Sequence, residues 1–586
     1  MPRAFLLILT AVFLLLPASA IAEPSITDVV NAASRIPNGF PSWGVAQGGL
    51  FAILGKELGP AELQQASFPL PAGDGLSGVT VKVTVGETTV DAILVYVSDI
   101  EIGAILPSQT PTGTGTVTVN NNGATATGPI NVVASAFGAF ALNYGRGYQS
   151  AVLNAAAFVL GDEGQRDLNY LASGFAVAKP GQTVELHGTG LGAITGDETQ
   201  AVGSEAPNSQ IKVFVGAKEA TVQWAGRGEW PGLPEGFPAF PVPKTIAAWD
   251  VIRFVVPEGV VGCRVSVVVQ SGSLISNSVW ISVSADGGPC VDSNTAAFGA
   301  PVTVSGTVRT ASINLVRIMS RTTLNSVTAE FGSESGSANF FQYHIPAEVT
   351  VPASVYATLA YGLDPGTCIV LHYRDVQSPP SPNLGGQNIV MNLDAGEAIN
   401  VKGSGGSKAL AKTQAGGYAG PLGSSFSLPG VPPMNNLFLN PGTFTVDNGS
   451  GGPDIPAFTG TVTQPPVIAF ENVDQLASID RSQGVTVRWS GGDPNGFVTV
   501  VGTSFNSTGP VGVVGIYACS ERIGAGQIVV PPFVTMNLPV TASRSPAPPV
   551  GTISLWTYFT NRIEIPTMNI AFLSLITDVQ RTALYQ

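Results

Sequence analysis

Apolar and polar residues alternate in short runs along much of the chain. Segments such as "VTVKVTV" at Val79–Val85 and "VTVRWS" at Val485–Ser490 carry an apolar side chain at every second position. A period of two is typical of a β-strand with one buried face, and Val, Thr and Ile are residues that favour strands. The pattern therefore predicts an all-β protein.

Composition extends this prediction to several domains. The chain has 586 residues, which is more than one hydrophobic core normally serves. It contains 70 Gly and 45 Pro, whereas charged residues make up only 11% of it. Many turns are therefore expected. Long amphipathic helices are not expected, because their solvent-facing side needs charged residues.

The N-terminus has the pattern of an export signal. Arg3 precedes an apolar run from Ala4 to Leu16, and small residues with two possible A-x-A cleavage sites follow it. This run is shorter than the ~20 residues that a membrane-spanning helix needs, which disfavours a membrane anchor. We therefore predict a signal peptide at residues 1–22. The mature chain is expected to be extracellular or periplasmic, with no membrane span.

Charge and residue types argue against nucleic acid and against catalysis. The net charge of -13 is diffuse, and the chain has no basic stripe that could neutralise phosphates. Only three histidines occur, His187, His344 and His372, on separate segments, whereas a zinc site or a Ser-His-Asp triad needs convergent side chains. The neighbouring acids Asp99 and Glu101 are interpreted as solvated. No catalytic residue, cofactor or metal ion is predicted.

Two acidic turns raise the alternative of calcium binding. They are "VDNGSGGPD" at Val446–Asp454 and "SGGDPNG" at Ser490–Gly496. Neither has the spacing of a twelve-residue calcium loop, and Asn and Asp are also the ordinary residues of β-turns. We interpret both as turns.

The four cysteines of an exported chain suggest two disulfide bonds. Cys263 begins the strand-like run "CRVSVVVQ", and the returning run "NSVWISVS" brings Cys290 back towards its start. A Cys263–Cys290 bond would therefore close a β-hairpin at its open end. Cys368 and Cys519 remain as the second pair. The alternative is four unpaired buried thiols.

A glycine-rich loop occurs twice, in "LFAILGKELG" at residues 50–59 and "TVELHGTGLG" at residues 183–192. Gly55 aligns with Gly188, and further on Gly86 aligns with Gly216. A dinucleotide site would need a helix directly after such glycines. The residues after Gly192 have no helical period, so we interpret the loop as a turn between strands of a repeated unit.

These segments also carry a family resemblance. "VVNAAS", "FPLPAGDGLSGVTV", "VYVSDIEIGAILPS", "AKPGQTVELHGTGLG" and "DVIRFVVPEGVVGCRV" resemble IPT/TIG domains, and more closely tandem units of uncharacterised secreted acidobacterial proteins. The match covers roughly residues 27 to 285. It implies immunoglobulin-like (Ig-like) β-sandwiches and no catalytic residues. One departure is that Glu101, Ile102 and Gly103 stand where those proteins often carry Gln-Ile-Asn.

The expected fold is therefore an all-β, multidomain chain of Ig-like β-sandwiches. The C-terminal segment contains a strand with a central Trp489, a tight Asp-Pro-Asn-Gly turn and a returning strand, which suggests a further sandwich. The predicted domains are IPT/TIG-like sandwiches at 23–136 and 137–288, a β-rich domain of unknown type at 289–465, and an Ig-like sandwich at 466–586.

The second repeat contains a Pro- and Gly-rich insertion, Trp224–Trp249, that the first lacks. Long loops in compact domains are often functional, and aromatic rings can stack on sugars or on a partner protein. The candidate ligand-contact residues are Trp224, Trp230, Phe237, Phe240 and Trp249. The alternative is that these aromatic side chains cover the interface with a neighbouring domain.

The sequence thus predicts a non-catalytic exported protein that binds a cell-surface or extracellular partner, either a protein or a glycan. One alternative is an accessory or catalytic component of extracellular polysaccharide degradation. Another is a purely structural role, in which the tandem domains act as spacers.

Overall fold

The computed structural model describes residues 23–140, 158–161, 166–168, 177–200, 210–229, 246–288, 302–324, 326–351, 363–374, 391–506, 512–542 and 551–586. Regular structure within these ranges is almost entirely β-strand, which confirms the all-β prediction. The helices described are one short α-helix, α1 (Pro532–Thr535), and two 3-10 helices, Val473–Leu476 and Ile523–Ala525. The predicted signal peptide at residues 1–22 lies outside the described residues.

The first sandwich consists of two five-stranded sheets, ordered β1-β3-β8-β7-β4 and β2-β10-β9-β5-β6. Alternate side chains of both sheets, including Phe51, Val81 and Val117, form the core between them. Its strands are β1 (Ser25–Asn31), β2 (Val45–Ala46), β3 (Leu50–Lys56), β4 (Gln64–Gln65), β5 (Val79–Val85), β6 (Thr88–Asp91), β7 (Ile93–Val97), β8 (Glu101–Ile105), β9 (Gly113–Asn121) and β10 (Ala124–Val133).

The second sandwich repeats much of this strand pairing, but its strands form one continuous ten-stranded sheet because β16 pairs with both β17 and β15. Its β14-β17-β16 order matches β3-β8-β7 of the first sandwich, and the pairings of β18 with β15 and β20 match those of β9 with β5 and β10. The aligned glycines Gly86 and Gly216 have φ angles of 58° and 60°. The strands are β11 (Gly138–Ala139), β12 (Phe158–Gly161), β13 (Arg166–Leu168), β14 (Thr183–Thr189), β15 (Ile211–Val215), β16 (Lys218–Arg227), β17 (Asp250–Val255), β18 (Gly262–Ser271), β19 (Leu274–Ile275) and β20 (Val279–Val283).

The glycine-rich loop after β14 is a turn, as the sequence predicted. Gly190 and Gly192 have φ angles of 109° and 126°, in the region that favours glycine. Residues 191–200 contain bends and turns but no helix. The loop amides do hold a carboxylate, but it belongs to the protein: the N–H groups of Gly190 and Leu191 donate to Asp250 Oδ2 at 2.6 and 2.8 Å.

The C-terminal half of the chain is dominated by one large sheet. Its order is β23-β35-β34-β37-β38-β21-β22-β27-β26-β25-β29-β30. The strands from Val302 to Gln464 are β21 (Val302–Leu324), β22 (Val327–Val351), β23 (Thr367–Arg374), β24 (Met391–Asn392), β25 (Ala398–Gly403), β26 (Gly406–Lys412), β27 (Tyr418–Leu428), β28 (Val431–Asn436), β29 (Gly442–Asp447) and β30 (Thr459–Gln464).

The last part of the chain adds strands to the same sheet and packs smaller sheets against it. A core that includes Trp489, Tyr517 and Leu555 lies between them. The strands are β31 (Ala469–Phe470), β32 (Ser478–Ile479), β33 (Val485–Ser490), β34 (Phe497–Asn506), β35 (Val513–Arg522), β36 (Gln527–Val530), β37 (Thr552–Arg562), β38 (Ile570–Thr582) and β39 (Leu584–Tyr585).

The predicted domain boundary at 465/466 does not separate two sheets. Residues Thr310–Arg321 of β21 pair in parallel with Ile570–Arg581 of β38, and β23 pairs along its length with β35. Segments on both sides of the boundary therefore share backbone hydrogen bonds. The physical reason is that each sandwich core is completed by strands that are distant in sequence.

The structure contains the predicted Cys368–Cys519 disulfide bond, with a Cα–Cα distance of 4.1 Å. The two cysteines lie directly opposite each other on β23 and β35. The predicted hairpin after Cys263 is also present, since β18 pairs with β20. Cys290 lies outside the described residues, so the Cys263–Cys290 bond stays a prediction.

The first two sandwiches are joined by a packed interface rather than by a linker alone. Leu50 and Ala52, on the outer face of the first sandwich, share a core with Trp249 of the second. Several hydrogen bonds cross the interface. Among them, Leu50 N–H donates to Thr189 Oγ1 at 2.8 Å, and Ser108 Oγ donates to Glu198 at 2.7 Å.

The first sandwich also contacts the C-terminal half. Arg374 Nη1 lies 2.6 Å from Asp28 Oδ2, and the ring of Phe40 meets His372 edge-on with a centroid distance of 4.7 Å. Such contacts between distant segments disfavour the extended-spacer interpretation. No helix in the described residues has the length and hydrophobicity needed to cross a membrane.

Candidate binding surface

The structure does not unite the aromatic residues predicted to form a ligand-contact loop. Trp249 is only 1% exposed, so its proposed role as a ligand contact is wrong. Trp224 lies within strand β16 rather than in a loop. It is half-buried against the core that contains Trp249, and its ring centroid lies 5.1 Å from Arg253 Cζ. The other three candidates, Trp230, Phe237 and Phe240, lie outside the described residues.

Trp249 is a structural residue of the interface between the first two sandwiches. Its ring stacks on Phe140 at 4.5 Å, and its indole N–H donates to His187 Nδ1 at 2.9 Å. Burial, together with the charge of Arg253, lowers the pKa of His187 to about 3. The neutral imidazole can therefore accept this hydrogen bond at any physiological pH.

Replacing Trp249 with Phe is expected to lower the free energy of unfolding by about 1–3 kcal/mol. The smaller ring still fills part of the site, but it removes the donor to a buried imidazole nitrogen. Urea denaturation followed by fluorescence measures the change. A variant as stable as the wild-type protein would contradict the structural role of Trp249.

Glu101 is paired and only partly exposed rather than freely solvated, contrary to the sequence-based interpretation. Its carboxylate accepts hydrogen bonds from Arg35 Nη2 and Tyr96 Oη, both at 2.6 Å. Although burial acts to raise it, the pKa of Glu101 is lowered by Arg35 and Tyr96. The departure from Gln-Ile-Asn is thus accommodated locally. A Cβ on Gly103 would lie 2.2 Å from the Tyr96 ring, so this position has room only for glycine.

The acidic turns are occupied by the protein's own groups. Asp447 contacts Lys402 Nζ at 2.7 Å, and Asp394, which lies beside the same turn, contacts Lys412 Nζ at 2.7 Å. Asp493 Oδ1 accepts a hydrogen bond from the Asn495 N–H within the second turn. In the described part of the chain, no group of three or more His, Cys, Asp or Glu side chains could hold a metal ion.

A cleft of about 710 Å³ lies between the first two sandwiches, lined by Thr89–Asp91, Pro107–Gln109 and Ala193–Thr199 among others. Its carboxylates already have partners within the protein. Asp91 pairs with Lys82, Asp197 accepts from Thr199, and Glu198 accepts from Ser108. Of these contacts, the one between Ser108 and Glu198 joins the two sandwiches, and the other two lie within a single sandwich.

A different surface is both exposed and aromatic. It lies on one face of β22, β27 and β28, where β28 forms an edge of the large sheet beside β27. Phe331 pairs across strands with Phe426, which in turn pairs with Met434, and the two phenyl rings lie 5.3 Å apart. We call this surface the aromatic platform. Its members are Val327, Phe331, Phe426, Leu428, Val431 and Met434.

The platform is open to solvent. Phe331 is 47% exposed and Met434 is 43% exposed, while Phe426 is half-buried between them. Contiguous exposed apolar area of this kind usually marks an interaction site, because exposing it to water is unfavourable. Scattered single apolar residues would need no such explanation.

A row of uncharged polar side chains flanks the platform. Ser333 pairs with Ser424, and Ser424 pairs with Asn436; all three are exposed and lie on the platform's face of the sheet. The next residue along this face of β22, Ser335, is exposed as well. Among the described residues of these rows, none is charged. The surface therefore combines apolar rings with hydroxyl and amide groups.

The opposite face of the sheet holds the platform rigid. Arg317 and Glu334 form a buried ion pair with an N–O distance of 2.6 Å. The carboxylate of Glu334 also accepts the backbone N–H groups of Phe438 and Leu439. These bonds tie β21 and β22 to the segment after β28, so the platform rests on a fixed framework.

The sequence contained a signal for the platform, but an incomplete one. The run "SVTAEFGSESGSANFF" showed alternation, and the structure places its odd-numbered residues up to Ser335 on the exposed face. Alternation identifies two faces without showing which one another element covers. The prolines at 432 and 433 were the better clue, because an edge strand tolerates proline and a central strand does not.

No family model matches the chain, and no curated protein matches it. A similar solved structure is the plexin A4 extracellular region, at 12% identity over 43% of this chain and 17% of that chain, with a TM-score of 0.14. SGBP-B from a complex xyloglucan utilization locus in Bacteroides uniformis matches at 13% identity over 68% of this chain and 85% of that chain, with a TM-score of 0.14.

Tandem Ig domains of titin match at 9% identity over 41% of this chain and 90% of that chain, with a TM-score of 0.11. The chain spans about 17% of the length of the plexin chain. At such identities and TM-scores, these likenesses say nothing about what this chain binds. The protein itself is a multidomain chain of Ig-like β-sandwiches.

Proposed function

We propose that this chain is an exported, non-catalytic binding protein whose aromatic platform holds a neutral polysaccharide. Its first two sandwiches are of the IPT/TIG type and serve as a scaffold. The observation that carries the proposal is the platform itself, an exposed aromatic sheet face bordered by hydroxyl groups and free of charge.

The chemistry of a sugar ring complements this surface. One face of a pyranose ring presents mainly C–H groups, and packing it against Phe331 or Phe426 buries apolar area at roughly 25 cal/mol per Å². The hydroxyl groups at the rim of the sugar would then meet Ser333, Ser424 and Asn436. A polyanion gains nothing from an uncharged platform on a chain of net charge -13.

Export is supported by two features. Disulfide bonds such as Cys368–Cys519 form and persist mainly in oxidising compartments, which for a bacterial protein are the periplasm and the exterior. The sequence also carries the predicted signal peptide at residues 1–22. Both features agree with a ligand found outside the cytoplasm.

Replacing Phe331 and Phe426 together with Ala is expected to weaken polysaccharide binding by about tenfold or more. Aromatic contacts of this kind contribute roughly 0.5–1.5 kcal/mol each, and 1.4 kcal/mol corresponds to tenfold. Isothermal titration and pull-down with cellulose, xylan, mannan and starch measure the change. Alginate and heparin, which are polyanions, are expected not to bind.

The matched control is Val529→Ala, which removes an apolar side chain that is 56% exposed on β36, in another sheet. It should leave binding unchanged. The proposal fails if no neutral polysaccharide binds, or if the double variant and the control bind equally well.

The enzymatic alternative predicts a different readout. If the chain were a catalytic component of polysaccharide degradation, the polysaccharide that binds would release reducing ends on incubation. Such release, abolished by a single Asp or Glu substitution, would replace the binding proposal with the enzymatic one.

A further inference from the structure

A buried carboxyl group lies where the two halves of the large sheet meet. Asp578 is on β38, which pairs antiparallel with β37 and parallel with β21. Trp556 of β37 and Ile318 of β21 lie directly opposite it on its two sides. The β21–β38 pairing is the seam that joins segments from either side of residue 465. Asp578 lies within that seam.

Among the described residues, no cationic side chain pairs with Asp578. Asp578 is 7% exposed, and its Oδ1 atom is buried with no hydrogen-bond partner among the residues that the structure describes. Its neighbours along the same face of β38 are Ile576 and Gln580. On the adjacent strand β37, Tyr558 is the titratable side chain diagonal to it.

The arginines of the neighbouring strands either lie far along the strand from Asp578 or are on the opposite face of the sheet. On the face that holds Asp578, the nearest arginine in the described parts of β21, β37 and β38 is Arg562, six residues from Trp556. Arg317 is on the opposite face and pairs with Glu334. Arg581, also on the opposite face, donates to the carbonyl of Val473 at 2.6 Å.

Ser554 is the hydrogen-bonding group that contacts Asp578. It accepts the indole N–H of Trp556 at 2.9 Å, and its hydroxyl donates to the Val501 carbonyl at 3.3 Å. A hydroxyl has one hydrogen to donate. While that hydrogen is used on Val501, the contact between Ser554 and Asp578 needs a proton on the carboxyl group.

We propose that the protonation state of Asp578 controls the stability of this seam. The neutral carboxyl group keeps the β21–β38 pairing closed, and the ionised carboxylate weakens it. When Asp578 loses its proton, Ser554 can turn its hydrogen from Val501 to the carboxylate. The Val501 carbonyl then loses its hydroxyl donor, and a charge without a counter-ion remains inside the sheet. Both changes weaken the seam.

The titration of Asp578 agrees in direction with this geometry. Burial raises its pKa to about 7, although Ser554 acts to lower it. Between about pH 4 and pH 7, Asp578 therefore keeps its proton while the seam is closed and releases it when the seam opens. Seam stability is therefore full below about pH 4, falls as the pH rises towards 7, and is constant above that.

Hydrogen–deuterium exchange of the full chain tests the proposal. The amides of β38 are followed from pH 5 to pH 8 in the wild-type protein and in Asp578→Asn, and their protection factors are compared at each pH. The ratio of the variant's protection to that of the wild type should rise by about tenfold per pH unit between pH 5 and 7, and then level off.

The control is Asp74→Asn, which removes an exposed carboxyl group in the first sandwich. Its β38 protection should match that of the wild type at every pH. A ratio for Asp578→Asn that stays constant across the range would overturn the proposal.

A second comparison needs no variant, so it remains available if Asp578→Asn does not fold. Within the wild-type protein, the protection of β38 is divided by that of β9 in the first sandwich. The quotient should fall between pH 5 and 7. If the quotient of β38 to β9 protection stays constant across this range, the proposed role of Asp578 is overturned.

Discussion

Replacing Arg227 with Ala is expected to lower the free energy of unfolding of the second sandwich by about 3–5 kcal/mol. Arg227 and Asp250 form an ion pair in which both side chains are fully buried. Removing the arginine leaves the carboxylate inside the protein without its counter-charge. The effect should therefore far exceed that of a surface ion pair.

The other contacts of Arg227 explain why its removal should also destabilise the glycine-rich loop and the interface with the first sandwich. Its Nη2 donates to the carbonyls of Gly192, at 2.6 Å, and Gly48, at 3.2 Å. Gly192 belongs to the glycine-rich loop of the second sandwich, and Gly48 belongs to the first. One side chain thus links the buried carboxylate, the loop and the neighbouring sandwich.

Arg253→Ala is the matched control. Arg253 lies on the same sheet and contacts Glu185 at 2.6 Å, but its side chain is 51% exposed. Its removal should cost at most about 1 kcal/mol. Urea denaturation measures both variants, and hydrogen exchange at residues 188–192 locates the damage. Equal losses for the two arginines would contradict this account of the loop.

The second large effect is expected from the disulfide bond. Replacing Cys368 and Cys519 together with Ala should lower the free energy of unfolding by about 5 kcal/mol in the chain-entropy model, because the bond closes a long loop in the unfolded chain. The two cysteines are 151 positions apart in sequence. Denaturation of the C-terminal half measures the change.

The double substitution avoids leaving a single free thiol. Both side chains are buried, at 6% and 0% exposure, so part of the loss also reflects lost packing. The double variant Cys368→Ser/Cys519→Ser lacks the bond as well. The difference in stability between it and the alanine pair therefore measures the effect of side-chain packing and polarity apart from loop closure. A loss below about 1 kcal/mol in the alanine pair would show that the bond contributes little in this fold.

Local sequence patterns predicted the parts of the fold that depend on neighbouring residues. Alternation indicated the strands, and the aligned Gly86 and Gly216 indicated equivalent turns of two sandwiches. The aligned Gly55 and Gly188 lie within strands β3 and β14 instead. The pairing of Cys368 with Cys519 followed once Cys263 had been assigned to a hairpin with Cys290. These features depend on periods of two and on φ angles that favour glycine, both of which a short window of sequence displays.

Contacts between segments that are distant in sequence could not be predicted from such short windows. The parallel pairing of Thr310 with Ile570 spans the predicted domain boundary, and nothing in either strand identifies its partner. Trp249 illustrates the same limit: an aromatic residue in a Pro-rich segment was predicted to contact a ligand, yet it fills the core between two sandwiches. The exposure of Phe331 could not be predicted either, because alternation does not reveal which face of a strand remains uncovered.

The most direct test of the proposed function is a hydrogen-exchange footprint of the full chain, with and without a saturating neutral polysaccharide from the binding panel. We expect added protection in β22, β27 and β28, around Phe331 and Phe426, and none in the first sandwich. Protection confined to the cleft between the first two sandwiches, or an unchanged footprint, would contradict the proposal.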